Sequence, residues 1–321
     1  IAIGYDALGG AVAEGEFNVA IGNYSLDALT AGDYNVAVGD NTLSANTTGS
    51  YNTATGSWAL NKNLGGNLNT AIGEEALEAN ESGDWNTAIG SQALEANVSG
   101  DGNTAIGSEA LQANTASYNT AIGSWALEAN TSGSGNTTIG SESLKVSTGN
   151  SNTAIGNEAG KATTTGDNNV FVGSDAGDSN TTGEKNIIIG SGSDVGSTDG
   201  LSPITNRIVI GYGALGQGDN TAVIGNTDIT AWLPPDDDGV DLGSSSLEFD
   251  DLHVDGTAFI DAIGFGTDVM ELPTADGSAN QVLKTDGSGN LDWVDSGSGA
   301  SAIDGLSDGK SGGTDFTGSM I

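Results

Sequence analysis

The chain has 321 residues, of which 52 are glycine, with no cysteine, one histidine and a formal charge of −36 from 43 acidic and 7 basic side chains. That charge repels phosphate backbones and argues against a nucleic-acid partner. The missing cysteines exclude disulfides and thiolate metal sites, and the lack of any apolar run of about eighteen residues excludes a membrane-spanning helix.

From the first residue onward the chain is organised by the word Asn-Thr-Ala-Ile-Gly. Clean copies end at Gly73, Gly90, Gly107, Gly123 and Gly156, and degenerate copies run from Gly4 to Gly225. Between Gly4 and Gly190 these glycines are 16 to 18 residues apart. A fixed period this short predicts one coil per repeat, each stacked on the next. The expected fold is an all-β parallel β-solenoid with about 17 residues per coil, roughly 65 Å long at one strand spacing per coil. Past Gly190 the intervals become 21 and 14, so the solenoid is expected to end near residue 230. The chain opens inside a copy of the word (Ile1-Ala2-Ile3-Gly4) and stops at Met320-Ile321, as expected of a piece of a longer protein.

The repeat Asn86 to Gly102 illustrates one coil. In an extended Thr87-Ala88-Ile89, threonine and isoleucine share one face and alanine takes the other. Ile72, Ile89, Ile106, Ile122, Ile139 and Ile155 are expected to form an apolar ladder inside the solenoid. The opposite column, Ala71, Ala88, Ala105, Ala121 and Ala154, continued by Phe171 and Ile188, is then expected to meet other copies of the chain in a homotrimer. The glycine turns the backbone. The following Ser-x-Ala-Leu-x-Ala-Asn is either one helical turn or a second short strand. Its helix formers and lack of a period of two favour the helical turn. Leu77, Leu94, Leu111 and Leu127 are its buried anchors in either case. The asparagines opening each word, at 18, 35, 52, 69, 86, 103, 119, 136, 152, 169 and 186, are expected to form an amide ladder rather than a ligand-binding comb.

After Trp232 the pattern changes. Pro234-Pro235-Asp236-Asp237-Asp238-Gly239 marks a boundary, which divides the chain into a solenoid at 1–230, short β-strand modules at 231–294 and a Ser/Gly/Asp-rich linker with the start of a further module at 295–321. Short runs, Leu247 to Val254, Ala258 to Ile263, Val269 to Leu272, Gln281 to Lys284 and Leu291 to Val294, predict strands. None is long enough to make a core alone, which favours intertwined chains.

Candidate sites are few. His253 stands alone, and Glu74, Glu75 and Glu78 belong to repeating surfaces rather than to a glycosidase pair. Asp286-x-Ser288-x-Asn290 begins like a calcium loop but lacks its glycine and distal glutamate. No catalytic residue, metal ligand or cofactor is therefore assigned. Aromatic side chains are more telling. Phe17, Tyr34, Tyr51, Trp85 and Tyr118 precede the word, and Tyr24, Trp58 and Trp125 follow it in a second register. Tyr34, Tyr51, Trp58, Trp85, Tyr118 and Trp125 are candidate contacts for sugar rings, with capping of the coil edge as the plainer role.

The word Asn-Thr-Ala-Ile-Gly-Ser-x-Ala-Leu, with its Asn-x-Ser/Thr-Gly spacer, resembles repeats of bacteriophage tail-fibre proteins, and its core is similar to the head repeats of trimeric autotransporter adhesins. Asp241 to Phe249 with Leu252 to Gly256, and Leu272 to Gly277 with Leu283 to Leu291, resemble phage-fibre modules, favouring a marine or cyanobacterial phage. The resemblance spans roughly residues 1 to 294. It implies a left-handed solenoid in a parallel homotrimer on the virion tail, partnered by other tail proteins and carrying a receptor-binding tip. In many members a self-cleaving chaperone domain follows. Host-surface polysaccharide is the implied external partner. The alternatives are a trimeric adhesin stalk on the bacterial surface and, less favoured, a polysaccharide-degrading tailspike. The 17-residue period departs from the shorter adhesin coil.

Overall fold

The computed structural model describes residues 1–10, 15–196, 204–229, 262–265, 268–271, 278, 281–285 and 291–295. Two units divide at Leu233 and Pro234. The acidic break at Pro234, the run Leu247 to Val254, His253, the module at Asp241 to Gly256, the calcium-like Asp286 to Asn290 and the linker beyond Asp295 lie outside the described residues.

The first unit is a parallel β-solenoid. Its strands are β1 (Ala2–Ile3), β2 (Val19–Ile21), β3 (Val36–Val38), β4 (Thr53–Thr55), β5 (Thr70–Ile72), β6 (Thr87–Ile89) and β7 (Thr104–Ile106). They continue as β8 (Thr120–Ile122), β9 (Thr137–Ile139), β10 (Thr153–Ile155), β11 (Val170–Val172), β12 (Ile187–Ile189), β13 (Ile208–Ile210) and β14 (Ala222–Ile224). All fourteen join one sheet in sequence order. Neighbours are parallel and in register, with Thr70, Ala71 and Ile72 opposite Thr87, Ala88 and Ile89. Each strand bonds both ways: Thr87 N–H donates to Asn103 O at 2.8 Å, and Gly90 N–H to Ile72 O at 2.8 Å. Gly90 has φ +137°, and a Cβ there would run into the Gly107 carbonyl of the next coil. Only glycine fits that corner.

The sides of the strand are opposite to those expected. Ala71, Ala88, Ala105, Ala121, Ala154, Phe171 and Ile188 are fully buried within a single chain. They pack with the Leu77, Leu94, Leu111 and Leu127 column in one core. The isoleucines face outward instead, with Ile72, Ile89, Ile106, Ile139 and Ile155 between 36 and 42 % exposed. The reason is volume. A leucine reaching across a narrow coil needs a small residue opposite it, and an isoleucine there would overfill the interior. Each leucine so buried stabilises its coil by about 1.5–3 kcal/mol.

The segment after the glycine is not helical, and the described residues contain no helix. It is a run of turns in which alternate residues are left-handed, such as Gln92 at φ +58° and Leu94 at φ +54°. Its N–H groups reach neighbouring coils: Gln92 N–H donates to Glu74 O at 2.9 Å in one direction, and Leu94 N–H to Ala110 O at 3.0 Å in the other. Left-handed backbone costs roughly 1–2 kcal/mol per residue. Bonding to both neighbours offsets that cost, which a helix closing its bonds on itself could not do while stacked.

The asparagine ladder is present and continuous. Asn86 N–H donates to Asn69 Oδ1 at 2.9 Å, and its Nδ2 donates to Gly100 O at 2.8 Å in the turn closing its own coil. Its Oδ1 in turn accepts from Asn103 N–H at 2.9 Å. A second buried column ends each turn segment: Asn97 Nδ2 donates to Asn80 Oδ1 at 3.1 Å and to the same Gly100 O at 3.0 Å. One column thus ties coil to coil through the backbone, the other through side chains, and both satisfy the turn between them. Where the pattern loses its alanines, Thr138 and Ser143 hydrogen-bond each other in the core, and Ser143 Oγ donates to Gly140 O at 2.8 Å.

Arg207, the single arginine of the chain, takes the ladder position after Asn186. Its N–H donates to Asn186 Oδ1 at 2.9 Å. The guanidinium, only 3 % exposed, donates to Val195 O at 2.5 Å and to Asp219 Oδ1 at 3.0 and 3.1 Å. The ladder therefore ends on an ion pair, where the spacing loses its period.

In the second unit two antiparallel pairs are described: β15 (Ala262–Phe265) with β16 (Asp268–Glu271), and β17 (Gln281–Thr285) with β18 (Leu291–Asp295). β16, β17 and β18 fall on expected runs. Of the expected run Ala258 to Ile263 only the last two residues lie within the described residues, and they belong to β15, which continues through Gly264 and Phe265 in its pairing with β16.

Candidate functional site

The solenoid presents one continuous outward strip and two flanking aromatic columns. The strip consists of the first and third residues of each strand. From β2 onward it reads Val19 and Ile21, Val36 and Val38, Thr53 and Thr55, then Thr and Ile from β5 to β10, then Val170 and Val172, Ile187 and Ile189, Ile208 and Ile210, and last Ala222 and Ile224. Threonine and isoleucine are both β-branched and stiff, so a column of either holds one rotamer against the next coil.

Phe17, Tyr34, Tyr51, Trp85 and Tyr118 share one column and are left-handed, with φ between +56° and +63°. This turn lets each N–H bond backward, as Tyr51 does to Asp33 O at 2.9 Å and Trp85 to Asn67 O at 3.1 Å. Coil spacing then fixes the rings. Phe17 and Tyr34 stack at 4.9 Å and 12°, and Tyr34 and Tyr51 at 5.0 Å and 11°. Both faces of Tyr34 and one face of Tyr51 are covered by neighbouring rings, so these two are stacked edge posts rather than open platforms. Trp85 and Tyr118 are 61 and 69 % exposed, against 47 % for the sandwiched Tyr34. Neither makes a ring–ring contact among the described residues.

Trp58 and Trp125 occupy the other column, four coils apart, or about 19 Å. Lys145 Nζ lies 5.2 Å over the Trp125 ring. The structure therefore does not gather the six aromatic candidates into one cluster.

Carboxylates are distributed likewise. Lys161 bridges Glu142 at 2.8 Å and Glu158 at 2.9 Å, and Lys145 bridges Glu142 and Glu128 at 3.5 and 3.4 Å. Lys161 holds the Glu142 carboxyl below its ordinary value. Burial, then the charges of Asp194, Asp175 and Glu158, raise Asp178. Among the described residues no group of three His, Asp or Glu side chains is placed to hold a metal ion. No described helix is long and apolar enough to cross a membrane.

Sequence spacing places the Thr/Ile strip inside, opposite to its observed side, and carries no sign of the Arg207–Asp219 pair. One signal was legible for the first: Gly160 and Gly177 replace leucine in the two coils that flank Phe171, as they must if both columns fill one interior. No protein-family model matches the chain, and no curated protein matches it.

Proposed function

We propose that this chain is the shaft of a homotrimeric bacteriophage tail fibre serving host attachment, with no catalytic activity of its own. The observation that carries the reading is the unbroken outward strip of Thr, Val and Ile. Over the twelve strands from β2 to β13 it is on the order of 500 Å², and its Ile and Val columns form one long apolar seam interrupted only at the two threonines of β4. Three copies turning this strip to a common axis would cover isoleucine columns that one copy leaves in water. The interface of the trimer is accordingly the Thr/Ile face, and the alanine column belongs to each chain's own core. In the second unit the short antiparallel pairs fit modules that intertwine between copies. The fibre identity, the virion tail as location and other tail proteins as partners rest on the repeat word and the module sequences.

A shaft role agrees with carboxylates that are spread along columns, with Glu128, Glu142 and Glu158 joined across successive coils by Lys145 and Lys161. Two measurements test the reading. The chain is expected in purified virions rather than in washed envelopes of the bacterial host; recovery from envelopes alone would make it an adhesin stalk. Incubation with host-envelope polysaccharide is expected to release no reducing ends. Release that a single Asp or Glu substitution abolishes would make it a depolymerising spike.

A further inference from the structure

We propose that Thr55 sets the axial register in which copies of this chain join, by being the one polar step in the third-position column of the outward face. The inference rests on the homotrimer reading and deepens it. The occupant of that face is a second and a third copy of the chain, held at the same height as the first.

Charge and area point to a copy of the chain as that occupant. From Val19 to Ile224 no residue at the first or third strand position is charged, although the chain has a formal charge of −36. A single coil shows the contrast: past Ile72 it carries Glu74, Glu75, Glu78, Glu81 and Asp84. Like charge therefore opposes contact between copies along the carboxylate columns and leaves the outward strip free of that repulsion. Two facing strips bring together roughly 1,000 Å², the size at which a specific interface begins.

A repetitive seam does not fix its own register. Strands β5 to β10 all present Thr first and Ile third, so a slip of one coil, about 4.8 Å, sets like against like over most of that length. A threonine in first position is shared by β4 to β10 and marks only the ends of its block. In third position every strand of the sheet has Ile or Val except β4, where Thr55 stands between Val38 and Ile72. Other threonine hydroxyls serve the coils themselves, as Thr47 does by donating to Leu64 O at 2.9 Å. The Thr55 hydroxyl is exposed and makes no hydrogen bond among the described residues. With three copies at one height, three such hydroxyls meet, and each can both donate and accept. After a slip each would be buried against valine or isoleucine without a partner. A polar residue in an apolar seam specifies alignment in this way at some cost in stability. Slipped copies also fail to close, because a ring of three returns to its start only with no net slip.

The test measures distances between copies. The chain has no cysteine, so Ser91→Cys and Ser191→Cys chains, both exposed sites just past a corner glycine, can be co-expressed and spin-labelled. The two sites lie six coils, or about 29 Å, apart along the rod, so a one-coil slip moves the longer inter-copy distance by roughly 4 Å. Double electron–electron resonance is expected to give one narrow long distance with Thr55 in place. Thr55→Ile, which extends the Thr/Ile pattern through β4, is expected to split it, with displaced components holding at least about a fifth of the pairs. Thr55→Val, close to threonine in shape but without the hydroxyl, should split it likewise. Adding Ile106→Thr to Thr55→Ile moves the polar step to another coil and should restore a single distance. A single distance in the Thr55→Ile trimer, or a split one in the wild type, overturns the register role alone and leaves the trimer standing. A folded wild-type chain with no inter-copy distance overturns the trimer and the register together.

Discussion

Two stretches of the solenoid fill the same interior from opposite sides. Between Leu26 and Leu144 each turn segment sends a buried leucine or its equivalent inward, and the strand answers with Ala20, Ala37, Ala54 and their successors. Around β11 the arrangement inverts. The leucine position becomes Gly160 and Gly177, and the strand residue becomes Phe171, whose ring a Cβ on either glycine would strike from opposite edges. Ile188 and Val209 continue the larger strand residue beyond it. What a coil requires is a filled cross-section, and which segment supplies the volume is secondary.

The largest effect comes from breaking that exchange. Phe171→Ala removes the only bulky group between two glycines and is expected to cost about 4 kcal/mol in chemical denaturation, near the upper range for core truncation. Gly160→Leu alone should also destabilise, because leucine would meet the Phe171 ring. The double variant should recover much of the loss, since Leu144 already holds a left-handed backbone at the equivalent position, φ +47° against +62° at Gly160. Simple additivity of the two losses would refute the shared interior.

A smaller effect separates the polar ladder from the apolar filling. Asn86→Ala strips partners from Asn103 N–H and one of two donors from Gly100 O. Its expected cost is about 2 kcal/mol, from leaving a buried donor unsatisfied. Because the column runs through both stretches, Asn169→Ala should cost a similar amount, and a difference as large as the one between leucine and glycine coils would tie the ladder to the filling.

The smallest effect concerns the end of the ladder. The Thr205 N–H first, then the Arg207 guanidinium, hold the Asp219 carboxyl below its ordinary value. A depressed carboxylate contributes stability that is present above its unfolded value and lost as pH falls through its lower folded value. Carboxyl NMR titration should therefore give Asp219 a midpoint below that of an ordinary aspartate, with local opening of the last coils only beneath it. Asp178 is raised, so its contribution has the opposite sign: it is present at low pH and lost as pH rises through the raised value. An Asp219 midpoint at the ordinary value would remove the cap.

How legible this was from sequence depends on which property is asked for. Period, strand position and the asparagine ladder follow from spacing, because Asn18 to Asn186 recur with the coil and an amide can serve two neighbours at once. Inside and outside do not follow from a single repeat, because Thr87-Ala88-Ile89 offers two faces that are both acceptable in a core, and only the exchange of leucine for Gly160 and Gly177 beside Phe171 marks the inward one. The size of Leu94 across the coil is what decides between them. The segment Ser91 to Asn97 misleads for a different reason: its residues favour helix, but Gln92 and Leu94 bond to opposite neighbours, and stacking overrides propensity. The aromatic column misleads by half. Residue type indicates rings, but whether a face is open depends on the adjacent coil, so Tyr34 is covered while Trp85 is not.

The central claim is that the outward Thr/Ile face joins copies of the chain while the Ala/Leu face fills each coil. Light scattering of the native protein is its most direct test. The wild-type chain is expected at three times 31.8 kDa, and the double variant Ile89→Glu, Ile106→Glu at 31.8 kDa with an unchanged β-sheet spectrum, since both residues face outward. A folded wild-type protein at 31.8 kDa, or a double variant that still assembles, would contradict it.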